Sequence, residues 1–458
     1  MYFLQSHILS RRTQLLLHSD LDLMEEVTRE MANNVSSDFE YPQASLLLTS
    51  MKSRLENLSV VSSERCIYRV PKKFRDVNEY AYTPRLVSIG PFHHGKGDLK
   101  AMEEHKWRHL QNFLKQTNVN LDDLVQIIKD SEEMARNCYA DTIEMTSDEF
   151  VQIMIVDATF IIDILLGTAF PKLTCAIESI YNRSNLMFDI YRDMLLIENQ
   201  LPYFILGHVL DFANSKAPSS SIRWPSILDL THAYFECYVR LKRAPQSVES
   251  SEVKHFVDFL RLRLRPIKPR QLSKWGVKFE VTRSLTELHE AGVKFKVAST
   301  AHLLDIQFSD GVLEIPFIRV TEITEVLFRN LIALEQCHCE VSYISDYIVF
   351  MDTLINTPND VELLVKYGIM KIMLADNAEA SMLFNNLAKE LLYDSEVFYY
   401  SRLCGDLNDY CKVRWHKWKA TLKHNYFNTP WAAISVIAAV ILLVLTFIQA
   451  VCSILQVK

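Results

Sequence analysis

Glycine is scarce in this chain, ten residues in 458, where an average protein carries about 7%. Few positions can therefore take φ > 0, which favours helices over glycine-rich loops and argues against nucleotide-cradling folds. Charge of one sign is lacking too. Forty-nine Lys and Arg stand against 56 Asp and Glu, a net charge of −7, so any attraction to nucleic acid or anionic lipid has to be local. Nine cysteines, an odd number, lack the spacing of a disulfide or zinc framework and read as reduced thiols. The first seventeen residues contain no sustained apolar core before a small-residue cleavage site, being broken by His7, Ser10, Arg11 and Arg12; no signal peptide is expected.

What is present is a long apolar run near the end. From Trp431 to Leu455 there is no charged side chain, and Ala432 to Val451 are almost wholly aliphatic. Twenty helical residues cover about 30 Å, the thickness of a hydrocarbon core. Thr429 and Pro430 suit a helix start, and Tyr426, Phe427 and Trp431 suit headgroup depth. Lys412, Arg414, Lys417, Lys419 and Lys423 precede the run and only Lys458 follows it, so the positive-inside rule keeps the N-terminal side in the cytosol. The expectation is one C-terminal transmembrane helix over 430–455, in the plasma membrane or another endomembrane, with membrane lipid as its partner.

The remainder divides into a variable leader, 1–60, and a globular domain, 61–425, with loops near 214–226 and 242–276. In the leader, one amphipathic helix begins near Pro42, where Leu46, Leu47, Met51, Leu55 and Leu58 recur at three to four residues. Phe150 to Leu166 is apolar nearly all round and invites comparison with a second span. Asp157 and Asp163 would each cost about 2.5 to 3.5 kcal/mol at bilayer depth, so a buried soluble helix is expected there. After the apolar stretch Met187 to Leu196, the adjacent Glu198, Asn199 and Gln200 imply a helix break whose polar groups are bonded internally. Asp310-Gly311 between the alternating runs 305–308 and 312–315 predicts a hairpin near 303–318. Helices follow over 324–335, 341–354, 361–367 and 381–392. The fold class is mainly α with a small antiparallel β element, plus the C-terminal transmembrane helix.

Chemical motifs are incomplete. Gly90 to Lys96 fits G-x-x-x-x-G-K, and Ile153 to Asp157 resembles a Walker B string. Yet Gly97 stands where the Mg²⁺-binding Ser or Thr is needed, Pro91 removes a cradle N–H, and Asp157 falls in a helix. An NTP-binding enzyme using Gly90 to Gly97 is the alternative reading. His105 and His109 lie at i, i+4, but Lys106 replaces the Glu of a zinc-protease helix; Cys337-His338-Cys339 has no second pair. His93, His94 and Glu198 read as ordinary hydrogen-bonded groups. No catalytic, cofactor-binding or metal-binding residue is assigned, no cofactor is expected, and the protein is not expected to be an enzyme. Arg261, Arg263, Arg265, Lys268, Arg270 and Lys274 form a basic run, read as a solvated loop or as a contact for lipid phosphates or an acidic partner, not for nucleic acid.

Several strings together resemble one land-plant family, domain of unknown function 247. They are Ile67-Tyr-Arg-Val-Pro71, Tyr82 to Gly95 (with Ser88-Ile-Gly-Pro-Phe-His-His-Gly95), Met102-Glu-Glu-His-Lys-Trp107, Leu196-Ile-Glu-Asn-Gln-Leu-Pro202, Thr286 to Phe295, Leu313-Glu-Ile-Pro316, Asn330 to Glu335, Asp352 to Val361 and Tyr426 to Trp431. Asp157-Ala-Thr-Phe160 departs from the family's usual Asp-Gly-Cys-Phe. The resemblance implies a membrane-anchored protein without known cofactor or catalytic residue, some relatives lying at grass self-incompatibility loci as pollen-side determinants. The expected function is recognition or signalling through an unknown protein partner.

Overall fold

The computed structural model describes residues 42–56, 64–170, 184–217, 223–239, 248–266, 280–300, 302–413, 434, 438–439 and 441–449. The chain divides into two units, Met1–Val61 and Ser62–Lys458. The first contains the expected leader helix, Pro42–Glu56, whose Leu47, Met51 and Leu55 are exposed.

The second unit is built around the helix Ser147–Ala169. Its start is set locally: Thr146 and Glu149 form a reciprocal capping box, each side chain satisfying a backbone N–H that the first turn leaves without a partner. Every residue from Phe150 to Gly167 except Gln152 is buried. Helices Lys100–Thr117, Leu121–Asp130, Tyr203–Lys216 and Ile227–Val239 pack around it, which is why an all-round apolar sequence is stable there without lipid. In a second group, Glu322–His338 packs against Phe256–Leu264, Tyr343–Leu354 and Asn377–Leu387. Asn330 joins the two groups, accepting the Ile197 N–H at 3.0 Å and donating to the Ala81 carbonyl at 2.8 Å.

The β structure is small and mixed. Strands β1 (Lys294–Val297), β2 (Gln307–Ser309), β3 (Val312–Ile315), β4 (Ile318–Val320) and β5 (Met370–Ile372) form a three-stranded sheet, β1-β3-β2, and a two-stranded one, β4-β5. The predicted hairpin is β2-β3, antiparallel, with Phe308 opposite Leu313. Asp310 (φ 51°) and Gly311 (φ 74°) turn it, both positive as a type I′ turn requires. A Cβ on Gly311 would lie 2.6 Å from the Tyr410 hydroxyl oxygen, so a side chain there would require the Tyr410 ring to move. β1-β3 and β4-β5 are parallel, pairings that no local turn signal announces.

One expectation is overturned: among the described residues no C-terminal transmembrane helix is seen. In the apolar run the described residues are 434, 438–439 and 441–449, all helical; the rest of the run lies outside the described residues. Among the described residues the one helix long and apolar enough to cross a membrane is Ser147–Ala169, and it is 94% buried inside the protein. Length and hydropathy select the core helix of this fold. The flank Arg414 to Lys423, the segment Tyr426 to Trp431 and leader residues 1–41 lie outside the described residues. Asp98 lies in a 3-10 turn, Gly97–Leu99, ahead of Lys100–Thr117.

Candidate functional site

The segment 85–97, with the signature-like Ser88 to Gly95, crosses the buried junction between these helices, and buried polar side chains hold its backbone. Asp193 accepts the N–H groups of Arg85 (3.0 Å), Leu86 (2.7 Å) and Val87 (3.0 Å). Asn199 accepts from Ile89 N–H at 2.8 Å and donates to the Val87 and Asp193 carbonyls, both at 3.0 Å. Asp157 accepts the Gly90 N–H at 2.8 Å through Oδ2, and its Oδ1 lies 2.5 Å from Lys106 Nζ. Lys106 also donates to the Ser88 carbonyl at 2.9 Å. Burial alone would lower the Lys106 pKa, but the Asp157 and Glu103 carboxylates outweigh it and raise it, keeping the buried cation charged.

Glu198, Asn199 and Gln200 are the expected internally bonded break. Gln200 Nε2 donates to the Met194 and Leu196 carbonyls at 2.8 Å, and its Oε1 accepts the Phe256 N–H at 3.0 Å. Glu198 accepts the Val70 N–H and Arg75 Nη2, each at 2.6 Å, and its Oε2 lies 3.3 Å from His93 Nε2 without a well-aligned hydrogen bond. Burial pushes the Glu198 pKa up, but His93, Arg75 and the Val70 N–H outweigh it and bring it down to about 2. His93 Nδ1 in turn lies 2.7 Å from Lys96 Nζ. A groove of about 610 Å³, lined by Lys72 and residues 75–80, adjoins this chain of groups through Arg75.

The geometry gives the P-loop resemblance no support at two motif positions. A phosphate cradle needs outward N–H groups, whereas the Gly90 N–H points inward to Asp157 and the Lys96 N–H to the His93 carbonyl. Asp157, the Walker-B-like carboxylate, is committed to Gly90 and Lys106.

The two histidines of His105-Lys-Trp-Arg-His109 are not brought together on a metal: His109 Nδ1 lies 2.5 Å from Asp163 Oδ2, edge-on to Phe160. His338 Nδ1 faces the Tyr68 hydroxyl at 2.9 Å, and Cys337 and Cys339 are half-buried. Among the described residues no group of three or more His, Cys, Asp or Glu is arranged to hold a metal. The basic run does not form one solvated patch: Arg263 is 7% exposed and Arg261 pairs with Asp258 at 3.0 Å. Arg265 is exposed, and Lys268, Arg270 and Lys274 lie outside the described residues.

Residues 67–445 match the profile of a plant protein family of unknown function, domain of unknown function 247. The chain belongs to that family. It is similar to a UPF0481 protein of Arabidopsis thaliana, 28% identical over 426 residues, or 85% of this chain and 86% of the relative. A putative UPF0481 protein of the same plant is 24% identical over 493 residues, 87% of this chain and 92% of the relative. No solved structure matches. In this family member three of the strings that carry the resemblance, Tyr82 to Gly95, Met102 to Trp107 and Leu196 to Pro202, meet in one buried network.

Sequence reasoning reached Glu198 to Gln200 but missed Asp193, Lys106 and Arg75. The available signal was a charge inside an apolar helical face: Arg192-Asp193 within 187–196, and Lys106 beside His109. What it lacked was their partners, 18 to 123 residues away.

Proposed function

We propose that this family member is a non-enzymatic recognition or signalling component, of the self-incompatibility-like kind, that offers a firmly held surface to a protein partner. One observation carries the reading. The buried carboxylates Asp193, Asp157 and Glu198 are committed to backbone N–H groups and to Lys106 and Arg75. They brace the segment whose outer part, Gly95 to Asp98, is exposed, beside the groove at 75–80 and its 77% exposed Tyr80. A braced backbone lowers the ordering cost of association, and an exposed Tyr at a groove is a suitable anchor.

The test uses the full chain as bait in plant extract, comparing wild type with Tyr80→Glu and Lys72→Glu. A protein retained by wild type and lost with both variants, their melting unchanged, supports the reading. Equal retention by all three overturns it. A membrane address belongs to the same reading, supported by exposed Leu442, Leu443 and Phe447; recovery of the protein in the soluble fraction at low salt removes that part.

A further inference from the structure

Going beyond the recognition reading, the side chains of Lys96, His93 and Glu198 stand in series. Lys96 Nζ is 2.7 Å from His93 Nδ1, and His93 Nε2 is 3.3 Å from Glu198 Oε2. The imidazole and carboxylate are buried, 1% and 2% exposed, while Lys96 opens to solvent. The order amine, imidazole, carboxylate is that of an activated nucleophile, a base beside it and a charged group behind the base. The turn 93–96 makes it: Lys96 N–H donates to the His93 carbonyl at 3.3 Å, with Gly95 at φ +78°. Arg75 and Glu79, which line the groove, both act electrostatically on Lys96, and Arg75 also donates to Glu198 at 2.6 Å.

We propose that Lys96 is a covalent capture site, its solvent-open amine binding a small aldehyde or ketone as an imine. Lys96 transfers a proton to His93 Nδ1, and the imidazolium faces the Glu198 carboxylate. The freed amine attacks the carbonyl carbon; a C–N bond forms as the C=O π pair moves to oxygen, which takes a proton from nitrogen. Protonation of that hydroxyl by His93 releases water and leaves the iminium. The balance is one ammonium and one carbonyl giving one iminium and one water, with no other reactant. The Lys96 shift accords with this: burial, with Arg75 and Arg69, lowers its pKa against the opposing pull of Glu198, while burial lowers that of His93, which keeps the imidazole neutral and open to a proton though a weaker base.

The experiment treats the full chain with pyridoxal 5′-phosphate at neutral pH, reduces with borohydride and maps the modified lysines by mass spectrometry against time. Lys96 is expected to label several-fold faster than the exposed Lys100 and Lys115, and its rate to level off at lower pH than theirs. His93→Asn is expected to bring Lys96 to the rate of the other two. Because that variant replaces a buried group, the wild-type pH profile stands as an independent readout. Lys96 labelling no faster than Lys100 and Lys115, or with the same pH profile as theirs, overturns the proposal.

Discussion

Lys106 and Asp157 form an ion pair inside the protein, Nζ 2.5 Å from Oδ1 with both side chains 1% exposed. The pair links Lys100–Thr117 to the central helix and, through the Ser88 carbonyl and Gly90 N–H, to the segment that crosses between them.

Breaking a buried pair from one side leaves an uncompensated charge. Lys106→Met is therefore expected to destabilise by about 3–5 kcal/mol. Lys106→Met/Asp157→Asn should recover part of that loss, because Asn keeps an acceptor for the Gly90 N–H and carries no charge. Urea unfolding measures both; a double variant no more stable than the single one contradicts this account.

Acid should reveal Glu198. Its carboxyl is lowered from the ordinary 4.5 to about 2, so its contribution is present above the unfolded value and lost as pH falls from about 4.5 towards 2. A depression of that size corresponds to stability on the order of 3 kcal/mol. Glu198→Gln is expected to be less stable than wild type at pH 7 and to lose less between pH 5 and 3. Melting scans across that range give the answer, and parallel curves refute it.

Asp346 titrates in the opposite sense. Burial raises it from 3.8 to about 7, the Tyr399 N–H opposing and the Glu335 charge adding. The folded state then holds a proton that the unfolded chain has released, so stability falls as pH rises from about 3.8 to 7. Asp346→Asn keeps an acceptor for the Tyr399 N–H, 2.8 Å away, and removes the titration. Its stability advantage should grow between pH 5 and 8, by up to about 3 kcal/mol. Denaturant midpoints at the two pH values measure the difference, and an advantage independent of pH counts against the assignment.

Two glycines of the same segment should respond differently. Gly90 (φ +71°) would put a Cβ 2.6 Å from the Gln200 carbonyl oxygen, whereas Gly95 (φ +78°) has nothing within 4 Å of that position. Gly95→Ala meets only the left-handed backbone penalty, about 1–2 kcal/mol. Gly90→Ala adds a backbone collision and is expected to cost at least about 1–3 kcal/mol more. Similar losses in a thermal melt would mean that Gln200 yields.

Much of the helical order was legible because its signals are local. The apolar periodicity, the two aspartates that argue against a second span at 150–166, and Asp310-Gly311 each act within a few residues. The Gly90 to Lys96 near-match was already incomplete in the sequence, at Gly97 and Pro91, but a motif states spacing and not that the Gly90 N–H faces inward to Asp157. The three polar residues 198–200 could be read as internally bonded, but not as bonded to Val70, Ile89 and Phe256.

By itself the sequence determined a mainly helical protein, the β2-β3 hairpin, a buried helix over 150–166 and resemblance to one plant family, all consequences of side-chain period and turn chemistry over short distances. Tertiary structure alone decided the parallel strand pairings, the inward aim of the 85–90 backbone, and the alignment of Lys96 with His93 and Glu198. Those features depend on helix packing and on charges that find partners across 50 to 130 residues, and burial makes such partners necessary without marking them in the sequence.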